Sequence, residues 1–193
     1  MITPRPPYLP FQQIATRVEE LRQYYSSLST IPVNIEDFVE FDLGIEIIPQ
    51  QGVRKTIGAD AYITRDFQSI VVDYDYFNSS KMLSRTRFSI AHELGHLFLH
   101  KEFYISQYPI DSAQEWFEVT RNLHDTVAHC LEWQADTFAS LLLMPKDEII
   151  SSLSNGDSLN TMSRKFEVSP PAIGCRIDKE DLKEAISKFL DKM

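Results

Sequence analysis

The sequence predicts an α+β fold. Three short runs of strand composition, IEIIP (45–49), ADAYITR (59–65) and SIVVD (69–73), are confined to one stretch of the chain. Segments with apolar residues at helical spacing lie on both sides of that stretch. The length, 193 residues, suits one domain, or one domain with a small appendage, and is enough to bury a core. The expected organisation is a proline-rich lead and helix (1–33), a core (34–145) and a C-terminal helical segment (146–193).

The lead, MITPRPPYLPF, has no apolar run of the length a secretory signal needs. Phe11, Ile14, Val18, Leu21 and Tyr25 then recur at helical spacing, predicting a helix over 11–27. In NIEDFVEFDLG, Asn34 is placed to cap a helix whose first turn carries acids, and Gly44 to stop it. The three strands follow, separated by the loop QQGVRKTIG and the short connection DFQ. A polar stretch, YFNSSKMLSRT, leads into RFSIAHELGHLFLH (87–100). From Ser112 to Met144, Trp116, Val119, Leu123, Val127, Leu131, Phe138 and Leu142 mark a second long helical pattern. Its length, well above the mean helix of about 11–12 residues, predicts a break near 120, and Pro145 ends it. Two or three short helices close the chain through DSLNTMSRKFEVSPPAIGCRI and KEDLKEAISKFLDKM.

A net charge of −9 argues against a nucleic-acid surface, because phosphate contacts need clustered Lys and Arg. The segment SLNTMSRKFEVSPPAIGCRI has the outline of a helix-turn-helix, but its second helix offers Pro170, Pro171, Ile173 and only Arg176 as a base. Packing or partner docking is the preferred role for it. Cys130 and Cys175 form no CxxC pair, which fits a reducing cytoplasm. No stretch approaches the roughly 20 apolar residues of a membrane span. The expectation is a cytoplasmic protein with neither membrane nor direct nucleic-acid partners.

The oily segment RFSIAHELGHLFLH sets three ionisable groups among Phe88, Ile90, Leu94 and Phe98. His92 and His96, at i and i+4, lie on one helical face and can converge on one ion. Glu93 is close enough to reach a water on that ion without ligating it. Catalytic zinc takes three protein ligands and keeps a position for water. The best third ligand is Glu132, in LEWQADTFASLLLMP, on the second long helical pattern. Asp136, one turn on, is placed to accept a hydrogen bond from the outward nitrogen of a ligating histidine. The competing reading, a histidine pair buried in the core and satisfied by hydrogen bonds, leaves this second motif unexplained.

Other residues fall around these. If the second helix is continuous through 125–136, His129 lies one turn before Glu132, either as a supporting residue or transition-state donor that Asp125 could orient, or as an ordinary surface or hydrogen-bonded histidine. His100 is a turn past His96 and too far along the axis to ligate. The extended HExxHxxGxxH pattern would need Gly and His where this chain has Leu99 and Glu102. His124 reads as a surface residue and Cys130 as core. Strand 59–65 or 69–73 can serve as a sheet edge for an extended peptide. Tyr62, Tyr74 and Tyr76 read chiefly as packing.

RFSIAHELGHLFLH followed by EWQADTFASLLLMP resembles the ImmA/IrrE family of metallopeptidases, bacterial and phage proteins associated with helix-turn-helix repressors. The resemblance covers roughly residues 40 to 180. It implies a zincin-like domain, with a small three-stranded antiparallel sheet packed on helices and a C-terminal helical segment. It also implies Zn2+ on His92, His96 and Glu132, with Glu93 as catalytic acid/base. The chain departs from the family between Leu99 and Leu131, where an aromatic stretch (Phe103, Tyr104, Tyr108, Trp116, Phe117) points to an insertion beside the cleft.

The function this implies is zinc-dependent hydrolysis of a peptide bond in a protein, with a helix-turn-helix transcriptional repressor as the substrate class. The alternative is a zinc-bound regulator that holds a repressor without cutting it. Glu93 counts against that alternative, since a structural site has no use for a general base.

Overall fold

The computed structural model of the chain describes residues 8–107 and 128–183. Helix α1 (Phe11–Tyr24) buries Phe11, Ile14 and Val18, the apolar stripe read from the sequence. Helix α2 (Ile35–Asp37) starts at Asn34, whose side chain accepts from the Asp37 N–H, and widens into a π-helical turn over Phe38–Asp42. Strands β1 (Glu46–Gln50), β2 (Ala61–Ile63) and β3 (Ser69–Asp73) match the three runs of strand composition.

The sheet is α+β in context, as expected, but it is not wholly antiparallel. Its order is β1-β3-β2, with β2 antiparallel and β1 parallel to β3. The reason lies in the connections. The short turn after β2 folds β3 back as a hairpin partner, while the chain between β1 and β3 is long enough for the crossover that parallel pairing needs. Part of that crossover is helix α3 (Val53–Ile57), inside the segment read as a plain loop. Gly52 and Gly58 take left-handed conformations at its two ends, which lets one helical turn start and stop abruptly. The buried Asp73 carboxylate, at the end of β3, accepts the Arg54 N–H at 3.0 Å. It also accepts the Asp75 N–H at 3.2 Å, capping helix α4 (Tyr74–Phe77).

Helix α5 (Leu83–Gln107) carries the HELGH segment across the sheet, and helix α6 (Ala128–Leu143) packs against it. Helices α7 (Lys146–Ser154), α8 (Leu159–Phe166) and α9 (Pro170–Ile177) follow. One continuous core joins these layers: Ile14 from α1, Phe38, Ile70 from β3, Ile90 and Leu94 from α5, Phe138 from α6, Ile149, Phe166 and Ile173 are all fully buried. Each such side chain stabilises the fold by about 1.5–3 kcal/mol relative to exposure. Arg176 is also fully buried. Its guanidinium grips Asp181 through two bonds of 2.8 Å and donates to the Met144 carbonyl at 2.9 Å, so it is no groove-binding base. Among the described residues, no helix is long and apolar enough to cross a membrane.

Candidate metal centre

Helices α5 and α6 approach closely at Gly95. A Cβ built there would lie 2.7 Å from Ala135 Cα, so only glycine lets the two backbones come this near. Glycine inside a helix costs about 1 kcal/mol relative to alanine. That cost is offset by what the approach brings together. Glu132 and Asp136, on the α6 turns flanking Ala135, reach the His92–His96 face of α5.

His92 Nε2 and His96 Nε2 are 3.1 Å apart. Glu132 closes the triangle, with Oε2 at 3.2 Å from His92 Nε2 and Oε1 at 3.4 Å from His96 Nε2. Donors on one tetrahedral zinc, at about 2.0–2.1 Å each, lie about 3.3–3.4 Å from one another. Two imidazole nitrogens and a carboxylate are also the donor types zinc takes. The Glu132 carboxylate spans the two rings, one oxygen to each, and the three residues have the donor chemistry and the proximity to hold a metal ion such as zinc. Asp136 Oδ1 accepts from His92 Nδ1 at 2.8 Å, leaving Nε2 of that ring for the ion. On the far side, His96 Nδ1 is 3.0 Å from Nδ1 of the wholly buried His100, whose Nε2 is 3.2 Å from Gln134 Oε1.

Exposure differs sharply across the site. The Glu132 and Asp136 side chains are 53% and 58% exposed, whereas His96 is 9% exposed. Glu93 lies beside the triangle and accepts the Ile63 backbone N–H of β2 at 2.9 Å. Strand β2 is thus the sheet edge next to α5. Asp60 and Thr64 direct their backbone bonds to β3, so Ala61 and Ile63 direct theirs outward.

The electrostatics follow from this packing. Burial opposes charge on His92, but hydrogen bonds to Asp136 and Glu132 and the Glu93 charge outweigh it and push its pKa up to about 10. Burial also acts against Glu132, yet the two histidines hold its carboxyl well below the usual carboxylate range. Burial raises the Glu93 carboxyl, against the opposing pull of His96, His92 and the Ile63 N–H. Burial first, and the nearby His96 second, bring His100 down to about 3.

Of the residues singled out from the sequence, His92, Glu93, His96, Glu132 and Asp136 meet at this one place. His129 and Cys130 belong to the first turn of α6, but their side chains lie outside the described residues. His124, Asp125 and residues 108–127 of the aromatic stretch also lie outside them. His100 stands behind His96, away from the donor triangle. Tyr76 lies beneath the guanidiniums of Arg54 and Arg85 at 5.6 and 5.5 Å, which is packing. Sequence reading passed over Gly95 and Gln134. A glycine in the middle of a helix was a signal for the first; nothing marked the second.

The IrrE N-terminal-like domain, a peptidase family, matches residues 43–178 of the chain. Among curated proteins none matches significantly. Solved structures of similar fold include a Mycobacterium tuberculosis transcriptional regulator, with a TM-score of 0.57 at 16% identity. The match covers 86% of this chain and 46% of that one, so this chain spans about half of the regulator's length.

Proposed function

Because the chain belongs to the IrrE N-terminal-like family of peptidases, we propose that it is a zinc-dependent endopeptidase that hydrolyses a peptide bond in a protein. The observation that carries this reading is the donor triangle of His92, His96 and Glu132 with Glu93 beside it. A bound zinc ion would polarise the scissile carbonyl and acidify a water molecule. The chain's own residues do the rest. The Ile63 N–H holds Glu93 Oε2, which leaves Oε1 to take the water's proton and pass it to the leaving amine. A carboxyl raised by burial suits that exchange near neutral pH. With the Ile63 N–H held by Glu93, the outward backbone groups of Ala61 and the Ile63 carbonyl give an extended substrate a strand edge beside Glu93. His129, in the α6 turn before Glu132, is the proposed donor to developing negative charge. Unchanged turnover in His129→Ala would remove it from that role.

The substrate class is a helix-turn-helix transcriptional repressor in the cytoplasm. The ImmA/IrrE likeness supports this, and it is in keeping that a protein of similar fold is a transcriptional regulator. The test is to incubate zinc-loaded wild type and Glu93→Gln with a reduced protein extract and to map new termini by mass spectrometry. Termini produced by wild type alone establish the peptidase and identify its substrate. Zinc bound by both proteins with no new termini would replace the peptidase by a zinc-bound regulator.

A further inference from the structure

We propose that His100, backed by Gln134, is a positioning residue that fixes the tautomer of His96 and so aims its Nε2 lone pair at the metal site. The proposal rests on the metal reading above. It starts from burial. His100 and Gln134 are both completely buried, so their polar atoms need partners inside the protein. Both nitrogens of the His100 ring have one, His96 Nδ1 at 3.0 Å and Gln134 Oε1 at 3.2 Å. The Tyr104 ring, 6.2 Å from His96 and 6.3 Å from His100, packs beside both.

Proton positions along this row are not independent. The Gln134 carbonyl oxygen only accepts, so His100 Nε2 carries a hydrogen. A neutral imidazole has one N–H, so His100 Nδ1 is bare and accepts from His96 Nδ1–H. His96 Nε2 is then bare as well, and it is the nitrogen facing Glu132 and His92. Reversing the Gln134 amide would reverse every bond and put a hydrogen on His96 Nε2, where an ion needs a lone pair. The amide orientation is thus written through two rings to the site. His92 is fixed differently, by the Asp136 carboxylate. One ligand has a charged partner open to solvent, and the other a neutral, dry one.

The experiment measures zinc affinity by chelator competition and His96 tautomer by long-range proton–nitrogen NMR of the zinc-loaded protein. His100→Phe keeps an aromatic ring but has no acceptor; His100→Gln restores one. The expected result is His96 protonated at Nδ1 in wild type, affinity lowered about 10–100-fold in His100→Phe, and most of it recovered in His100→Gln. Gln134→Leu keeps both rings and serves if His100→Phe does not fold; it should weaken zinc binding and mix the His96 tautomers. Wild-type affinity in His100→Phe or Gln134→Leu overturns the proposal. So does a His100→Gln variant no tighter than His100→Phe, or a His96 bound through Nδ1. A wild type that binds no zinc removes the metal reading itself, which is a different outcome.

Discussion

Ile63 and Glu93 meet where the sheet touches the HELGH helix: the Ile63 backbone N–H donates to Glu93 Oε2 at 2.9 Å. The donor is main chain, so a change at position 93 leaves it in place, and a glutamine there can still accept it through its amide oxygen. Glu93→Gln should therefore keep the geometry and lose the base. Zinc affinity is expected to stay within a few-fold, while the yield of new substrate termini falls by at least about 10²–10⁴-fold. Stability gives an independent check. Burial raises the Glu93 carboxyl, so ionising it above the ordinary carboxyl range costs the folded state more than the unfolded one. The neutral amide removes that cost, and the metal-free variant should melt no lower than wild type. Undiminished cleavage by Glu93→Gln would take Glu93 out of the chemistry.

Asp136 separates charge from hydrogen bonding. Its carboxylate accepts from His92 Nδ1 at 2.8 Å on the exposed side of the site. Asp136→Ala deletes both the acceptor and the charge, and Asp136→Asn keeps an acceptor. Chelator competition should show zinc affinity down about 10–100-fold for the alanine variant and less for asparagine. Equal losses would mean that only the charge matters, and no loss in either would mean that His92 is oriented by packing alone.

How far the sequence carried depended on the range of each interaction. His92, Glu93 and His96 were legible because their relation is set within one helix turn. Glu132 and Asp136 were legible because spacing on a second helix made them complementary to the first pair. The strands were visible in Ile47, Ile70 and Val72, but the parallel pairing of β1 with β3 depends on a chain crossover that local composition does not encode. Helix α3 was missed for the same reason: the Asp73 carboxylate, which accepts from its first turn, belongs to a strand nineteen residues on. The partnership of His100 with His96 and Gln134 depends on how α6 is rotated against α5, which no local pattern encodes.

Gly95→Ala tests the contact that builds the site. Alanine is the better helix former by about 1 kcal/mol, so propensity alone predicts a gain in stability. Its Cβ, however, would sit 2.7 Å from Ala135 Cα and 3.1 Å from Ala135 Cβ and the Ala135 carbonyl oxygen. Backbone cannot swing aside as a flexible side chain can, so the helices must separate. Overpacking of this kind costs about 1–3 kcal/mol. The variant should melt below wild type, and zinc binding should weaken, because moving α6 carries Glu132 away from both histidines. A higher melting temperature with unchanged zinc affinity would show that the approach at Gly95 is not what holds the triangle together.

Loading the site should expel a proton. In the metal-free protein the bonds to Asp136 and Glu132 help hold the His92 pKa up at about 10, so the ring is doubly protonated at neutral pH. An ion takes Nε2 as a lone pair and so displaces one proton from it, while Nδ1–H stays on Asp136. The sign follows: a raised folded pKa means that protons compete with metal up to about pH 10, and apparent zinc affinity rises with pH below that. One displaced proton corresponds to about tenfold in affinity per pH unit. Calorimetry near pH 7.5, in buffers of different ionisation enthalpy, should return about one proton per zinc from this ring. Asp136→Ala removes the leading hydrogen bond behind the raised pKa, so it should release less and show a shallower pH dependence. Zinc binding with no proton released would mean that His92 is already neutral in the metal-free site. Asp136 would then act only by aiming the ring, with no part in setting its charge.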